Sequence, residues 1–336
     1  MLYSRREIGR FALAGLPVAG LLCRSERASA DVLFAKPDSK WAGVQVGLNV
    51  PFNFGNNYMS ADETLARCLQ LGISAIELRS QPVEAFMGSP AAAPPPRGDG
   101  APGGSRSGGR GGRAPLTPEQ EAVQKAAAEE LRKWRASAPM SKVKEFRQKY
   151  ADAGVDIQIL KFDSAVIYNQ PDEVLDYCFE LAERLGARAV SCEISPTQTA
   201  RVGQFADKHK IMVGYHGHNL TTPAIWEAAF GQATHNGANL DLGHFVAGNN
   251  TSPVAFLEQY HDRITHVHVK DMKMHDGPAV PFGQGDTPIK EVLQRIRDRK
   301  WKMQATVEFE YPIPEGSDRM TEIAKCLEYC RQCLLG

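Results

Sequence analysis

Hydrophobic and polar positions along most of the chain alternate between two periods, and this predicts repeated strand–helix units. Short runs rich in β-branched residues are typical of buried strands, and longer runs with apolar residues three or four apart are typical of helices. Strands are predicted at 44–49, 75–79, 157–162, 189–195, 212–218, 238–243, 264–270 and 304–311. Helices are predicted at 60–71, 142–153, 171–185, 199–209, 223–234, 253–260, 289–298 and 318–334.

Eight such units in one chain predict an α/β fold, a (β/α)8 TIM barrel spanning residues 41–336. A doubly wound open sheet is the alternative. It is disfavoured because no glycine-rich dinucleotide turn follows the first predicted strand.

The strand–helix alternation breaks after the second predicted strand. Residues 89–113 consist largely of Pro, Gly, Ala and Arg, and such a segment buries too little apolar surface to order itself. Thr117, Pro118 and Gln120 then predict a helix N-terminus with a capping box, followed by a charged helix to about Arg135. We therefore expect a disordered, low-complexity and helical insertion over 89–139. Its Arg-Gly run lacks aromatic residues, which disfavours RNA binding.

The first thirty residues have the pattern of a targeting segment. Arg5 and Arg6 precede an apolar stretch over 11–22, and Ala28-Ser29-Ala30 follows as a small-residue cleavage site. The paired arginines resemble a twin-arginine signal peptide over 1–30, which predicts export through the twin-arginine machinery to the periplasm or beyond. The apolar stretch is too short for a stable membrane anchor. A lipoprotein site at Cys23 is disfavoured by the bulky residue before it.

Composition excludes some partners. The chain has 336 residues, 43% hydrophobic, and its 39 Lys and Arg balance 39 Asp and Glu, which gives no electrostatic reason to bind nucleic acid. Among its 7 cysteines, Cys326, Cys330 and Cys333 have a spacing that resembles an iron–sulfur motif of radical enzymes. They also form an apolar stripe on the last predicted helix, so core packing is the preferred interpretation.

The candidate chemistry lies on one face of the predicted strands. In His266-Val267-His268-Val269-Lys270, the valines face one way and the polar residues the other, into the barrel. The same parity predicts an inward polar set of Asn49, Glu77, Arg79, Lys161, Asp163, Glu193, His216, His218, Asp241, His266, His268, Lys270, Glu308 and Glu310. Carboxylates and imidazoles gathered at a barrel mouth suit a divalent cation. Salt bridges from Arg79, Lys161 and Lys270 to these carboxylates are the alternative.

Five motifs at successive predicted strand ends resemble the xylose-isomerase-like barrel superfamily, in particular its sugar phosphate isomerases/epimerases and inosose dehydratases. They are Cys192-Glu193-Ile194-Ser195, Tyr215-His216-Gly217-His218, Leu240-Asp241-Leu242-Gly243-His244, His266-Val267-His268-Val269-Lys270-Asp271 and Val307-Glu308-Phe309-Glu310. The resemblance covers most of the chain outside the insertion.

This resemblance implies metal ligands at Asp241, His268 and Glu308, with Glu193 or His216 as the fourth. Ketose epimerases carry a glutamate on the fifth strand, where this chain has His216. The cation would be Mn, Zn, Co or Mg. Catalytic roles are expected for Glu193, Glu308 and His244, and the alternative for His244 is a residue that caps a loop. Substrate-binding roles are expected for Arg79, Lys161, His216, His218 and Lys270.

The expected function is that of an exported, metal-dependent sugar isomerase or epimerase, or a related lyase or dehydratase. It would act on a small carbohydrate, a keto-sugar or keto-glycoside, through an enediolate. The alternative is a non-catalytic periplasmic carbohydrate-binding protein. A zinc-dependent DNA endonuclease of related fold is disfavoured by the neutral charge. The turn Gly283-Gln284-Gly285-Asp286 is a weak phosphate cradle, so a phosphorylated substrate is not assumed.

Overall fold

The barrel predicted from the sequence is present. In a computed structural model that describes residues 36–90 and 117–336, strands β2–β9 pair in parallel with their neighbours, and β2 also pairs with β9 to close the ring. The strands are β1 Lys40–Trp41, β2 Val44–Val50, β3 Ala75–Arg79, β4 Asp156–Lys161, β5 Ala189–Glu193, β6 Met212–His216, β7 Asn236–Asp241, β8 Ile264–Val269 and β9 Gln304–Val307. Strand β1 pairs antiparallel with β2.

Helices follow the strands and pack on the outside of the barrel. They are α1 Ala61–Gln70, α2 Ser80–Met87, α3 Pro118–Arg135, α4 Ser141–Asp152, α5 Ser164–Ile167, α6 Asp172–Leu185, α7 Thr199–His209, α8 Pro223–Phe230, α9 Leu242–Asn249, α10 Val254–Tyr260, α11 Ile289–Arg299 and α12 Arg319–Leu335. Three short helices were not predicted: α2, α5 and α9. They begin at or within three residues of a strand end, where no break in the hydrophobic pattern marks a new element.

The main core lies between the barrel and its helices. Val267 and Val269 of β8 are fully buried there, as the strand parity predicts. The stripe formed by Cys326, Cys330 and Cys333 is buried on α12, which confirms the packing interpretation. All six cysteines of the described segments are free thiols.

The helix of the insertion is tied to the barrel's outer layer. Thr117 and Gln120 form the capping box that the sequence predicts for α3. At its other end Arg135 forms a bidentate ion pair with Glu84 of α2, with N–O distances of 2.8 and 3.0 Å. The predicted signal peptide and residues 91–116 of the insertion lie outside the described residues. Within the described part of the chain, no helix is long and apolar enough to cross a membrane.

Candidate metal centre

Four buried side chains converge at the carboxyl end of the barrel. His216 ends β6, Asp241 ends β7, His268 lies in β8 and Glu308 directly follows β9. One donor atom from each lies within 4.8 Å of those from the other three. Pairing of Asp241 with His268 across β7 and β8 places both at the same level of the barrel. We call these four residues the mouth cluster.

His268 is oriented by a carboxylate behind it. Its Nε2 lies 2.5 Å from Oε2 of Glu77, which is fully buried, so Nε2 donates its proton there and Nδ1 faces the cluster. Nδ1 lies 3.2 Å from Glu308 Oε2 and has no hydrogen-bond partner of good geometry among the described residues. A carboxylate that holds the remote nitrogen of a histidine is the usual support of a metal ligand.

The charges around His268 favour its protonation. Burial alone would lower the pKa of His268, but the carboxylates of Glu77 and Glu308 outweigh burial and hold that pKa well above the ordinary value. A cation binding at Nδ1 would therefore have to displace a proton.

Asp241 uses its two oxygens for two tasks. Oδ1 accepts a hydrogen bond from the main-chain N–H of His244 at 2.8 Å and caps α9, whereas Oδ2 lies 3.3 Å from His216 Nε2. The Asp-x-x-His spacing is thus that of an N-cap and the third residue of a helix. The alternative of His244 as a loop cap is wrong, because Asp241 is the cap and His244 lies within the helix. The catalytic role expected for His244 stays a prediction.

Lys270 lies inside the site. Its side chain is 1% exposed, and Nζ lies 3.1 Å from Asp241 Oδ2, 2.8 Å from Glu308 Oε2 and 2.5 Å from Glu310 Oε2. The strand delivers it into the cluster because its parity matches that of His268. Burial would favour the neutral amine, but the carboxylates hold the pKa of Lys270 well above its usual value.

The salt bridges of the alternative interpretation are all present, because Arg79, Lys161 and Lys270 each pair with a carboxylate. Three carboxylates nevertheless surround the single ammonium of Lys270, so their negative charge exceeds what that one ammonium balances. A divalent cation would balance that excess. Two imidazoles and two carboxylates also form a mixed donor set that suits Mn, Co or Zn. The mouth cluster therefore fits the cation that the sequence predicts.

Glu193 stands beside the mouth cluster, not in it. Its Oε1 lies 3.0 Å from Lys161 Nζ, and its Oε2 lies 2.9 Å from His216 Nδ1 and 3.2 Å from His218 Nε2. Burial opposes its ionisation, but Lys161 and His216 outweigh burial and keep the pKa of Glu193 well below its ordinary value. Of the two candidates for the fourth ligand, the structure brings His216 to the other three.

Arg79 occupies another part of the mouth, where its Nη1 lies 2.7 Å from Asp163 Oδ1. The guanidinium also stacks over the ring of Phe52, 4.9 Å from the ring centroid. Of the predicted substrate-binding residues, His218 is the most accessible, with 60% of its side chain exposed. Lys161 is almost fully buried behind Glu193.

The turn after β8 offers no free phosphate cradle. The backbone N–H groups of Gly283, Gly285 and Thr287 donate to the carboxylate of Asp271 at 2.7, 2.9 and 3.3 Å. Asp271 thus fixes the loop that follows β8.

Two supporting residues received no role from the sequence. Glu77 orients His268, and the amide of Asn49 donates to Glu308 Oε1 at 3.0 Å, which leaves Oε2 for the mouth cluster. Both belong to the inward polar set that strand parity predicts. The signal that could have found Glu77 is a carboxylate placed one layer below an inward-facing histidine.

Comparisons with known proteins agree with this architecture. The model of the family described as xylose isomerase-like TIM barrel matches residues 121–333. No curated protein matches the sequence significantly.

Three solved structures show the same fold. A sugar phosphate isomerase/epimerase from Parabacteroides distasonis is 14% identical with a TM-score of 0.52, covering 87% of this chain and 96% of that one. The probable 3-DHS dehydratase AsbF from Bacillus anthracis is 12% identical with a TM-score of 0.55, covering 85% and 99%. A D-psicose 3-epimerase studied with D-fructose is 11% identical with a TM-score of 0.55, covering 87% and 100%. At these identities the likeness concerns the fold.

Proposed function

This chain belongs to the xylose isomerase-like TIM barrel family, and from that membership and the mouth cluster we propose that it is a divalent-metal-dependent enzyme acting on a keto-sugar or keto-glycoside. The reaction would be isomerisation, epimerisation or a related elimination. The observation that carries the proposal is the convergence of four buried donor groups, with His268 Nδ1 held toward them and without a hydrogen-bond partner among the described residues. The solved structures that share this fold include one named as an epimerase and one named as a probable dehydratase.

The mouth cluster would hold the cation through His216, Asp241, His268 and Glu308. When bound, the cation supplies polarisation of the substrate carbonyl and lowers the cost of charge on its oxygen. Everything else in the reaction is supplied by the side chains around it.

Glu193 is the base that we assign to the first step. Its side chain is 35% exposed at the mouth, and Lys161 keeps it ionised. Glu193 takes the proton from the carbon next to the carbonyl, and the electron pair of the broken C–H bond passes into the C–C bond and onto the carbonyl oxygen. The product of this step is an enediolate, with the proton held on Glu193.

Lys270 is the matching proton donor for oxygen. Its ammonium lies among the groups of the mouth cluster and can donate to the developing oxyanion. Return of the proton from Glu193 to the neighbouring carbon gives an isomer. Delivery of a proton by a second group on the opposite face of the enediolate gives an epimer. Departure of a β-oxygen, protonated as it leaves, gives dehydration or cleavage of a glycoside.

The proposal predicts that the full chain exchanges carbon-bound protons of a ketose with solvent. The chain loaded with Mn²⁺ should incorporate deuterium from D2O into D-psicose, D-fructose or a keto-glycoside at the carbon next to the carbonyl, measured by mass spectrometry. Such exchange reports proton abstraction whichever product follows. Binding of these sugars without exchange would instead support a carbohydrate-binding protein and overturn the proposed activity. Absence of both binding and exchange across keto-sugars and keto-glycosides would also contradict it.

A further inference from the structure

A line of hydrogen-bonded side chains connects Lys270 with the exposed loop that follows β8. Lys270 Nζ lies 2.9 Å from His244 Nε2, and His244 Nδ1 lies 2.7 Å from Asn219 Oδ1. The amide Nδ2 of Asn219 in turn donates to Asp276 Oδ1. The three elements that carry these residues, α9 and the loops after β6 and β8, are distant in sequence.

The chemistry of the groups decides which atom donates and which accepts in each of these hydrogen bonds. An ammonium only donates hydrogen bonds, so His244 Nε2 must be the acceptor from Lys270. The proton of the neutral imidazole then sits on Nδ1 and is donated to the carbonyl oxygen of the Asn219 amide. That choice turns the amide nitrogen toward Asp276, whose carboxylate accepts. Asp276 and Asn219 thereby select one of the two tautomers of His244.

The backbone is built to keep Asn219 in this place. A Cβ added at Gly248 of α9 would lie 1.8 Å from the main-chain oxygen of Asn219, so only glycine lets the two segments meet. The backbone is also constrained at the Asp276 end of the line. His275 and Asp276 both have left-handed backbone conformations, with φ of 59° and 55°. Such conformations persist where surrounding contacts enforce them.

Two hydrogen bonds hold His275 and Asp276 in these conformations. The N–H of His275 donates to Asn250 Oδ1 at 2.6 Å, and the N–H of Asp276 donates to the carbonyl of Ala247 at 2.9 Å. Both acceptors lie on α9 or at its C-terminal cap. The loop is thus fixed relative to the helix that carries His244.

We propose that Asn219 and Asp276 are positioning residues that hold His244 as its Nδ1–H tautomer, so that its Nε2 accepts a hydrogen bond from Lys270. His244 and Glu310 are the two neighbours of the ammonium that lie outside the mouth cluster. The hydrogen bond to His244 thereby helps to orient the ammonium that the proposed mechanism uses as a proton donor. This role in catalysis rests on the proposed function, whereas the tautomer itself does not.

The tautomer can be read directly by nuclear magnetic resonance. The full chain, labelled with ¹⁵N-histidine, is compared cation-free and loaded with Zn²⁺, using ¹H–¹⁵N correlations that distinguish protonated from unprotonated ring nitrogens. Signals of His244 are assigned by their loss in His244→Gln. The wild type should show protonated Nδ1 in both states. Asn219→Ala should shift His244 to a mixture or to the Nε2–H form.

Two further variants separate this role from general support of the loop. Asp276→Asn keeps an oxygen acceptor for the Asn219 amide and should retain the Nδ1–H form. Asn250→Gly removes the contact with His275 but leaves the line intact, and glycine accepts the φ of 53° found there. It should leave the tautomer of His244 unchanged. An Nε2–H form in the wild type, or an unchanged tautomer in Asn219→Ala, would overturn the proposal.

A kinetic readout accompanies the spectrum. In Asn219→Ala, kcat for deuterium exchange into D-psicose should fall about 10- to 100-fold while KM stays the same. The two proposals fail separately. If the wild type performs no exchange but the tautomer responds as stated, the proposed function is wrong and the positioning role stands. If exchange occurs and neither the tautomer nor kcat responds, only the positioning role is wrong.

Discussion

Replacing Glu308 by Gln is expected to reduce deuterium exchange by about 10²-fold or more, because loss of a metal ligand should cost more than the 10- to 100-fold loss typical of a ligand's supporting partner. Oε2 of Glu308 lies 3.2 Å from His268 Nδ1 and 2.8 Å from Lys270 Nζ. An amide at this position carries no charge and is a poor ligand for a divalent cation. The fold should survive, because an amide oxygen can still accept the hydrogen bond from Asn49.

The matched control for this change is Glu315→Gln. Glu315 follows the same strand but is exposed, so its replacement should leave exchange at the wild-type rate. Exchange rates are measured at saturating Mn²⁺, and thermal unfolding is followed for both variants. If the Glu308→Gln protein is folded and its rate of deuterium exchange lies within a few-fold of the wild-type rate, Glu308 is not part of the site.

Arg135→Met is expected to lower the free energy of unfolding by about 3–5 kcal/mol, the usual cost of leaving a buried charge unpaired. The side chains of Arg135 and Glu84 are 6% and 4% exposed. The hydroxyl of Tyr177 donates to Glu84 Oε1 at 3.1 Å but carries no charge to replace the guanidinium. Removal of Arg135 therefore isolates a carboxylate between α2, α3 and α6.

Urea unfolding of three variants tests this account. The double variant Glu84→Gln, Arg135→Met should recover part of the loss, because no unpaired charge remains. Arg132→Met, which breaks a half-exposed pair with Glu129 on the same helix, should cost less than about 1 kcal/mol. A loss below about 1 kcal/mol in Arg135→Met would show that α3 can leave the barrel and let water reach Glu84.

The strand–helix alternation was readable from the sequence because each barrel strand repeats the same burial pattern. The start of β9 at Gln304 agrees with the prediction, but the predicted strand ran to Tyr311 and the observed one ends at Val307. The reason is a contact from a distant loop. Asn53 donates to the carbonyl of Val307 at 2.7 Å and accepts from the N–H of Phe309 at 2.6 Å. These hydrogen bonds divert the backbone, and no local pattern in the sequence predicts them.

The site was predictable to the level of strand parity and no further. Parity places Glu193 and His216 on the inner face, and the two lie opposite each other in the register of β5 and β6. Which of them joins Asp241 is decided by side-chain partners, because Lys161 holds one oxygen of Glu193 away from the cluster. Contacts between side chains from different strands have no signature in the sequence.

The content of divalent metal in two variants tests the central claim most directly. Purified full chain, Glu193→Gln and His216→Gln are each incubated with Mn²⁺, passed through a desalting column and analysed by inductively coupled plasma mass spectrometry. The arrangement of the mouth cluster predicts about one Mn²⁺ per chain in the wild type and in Glu193→Gln, and a large loss in His216→Gln. Metal retained by His216→Gln, or lost from Glu193→Gln, would contradict it.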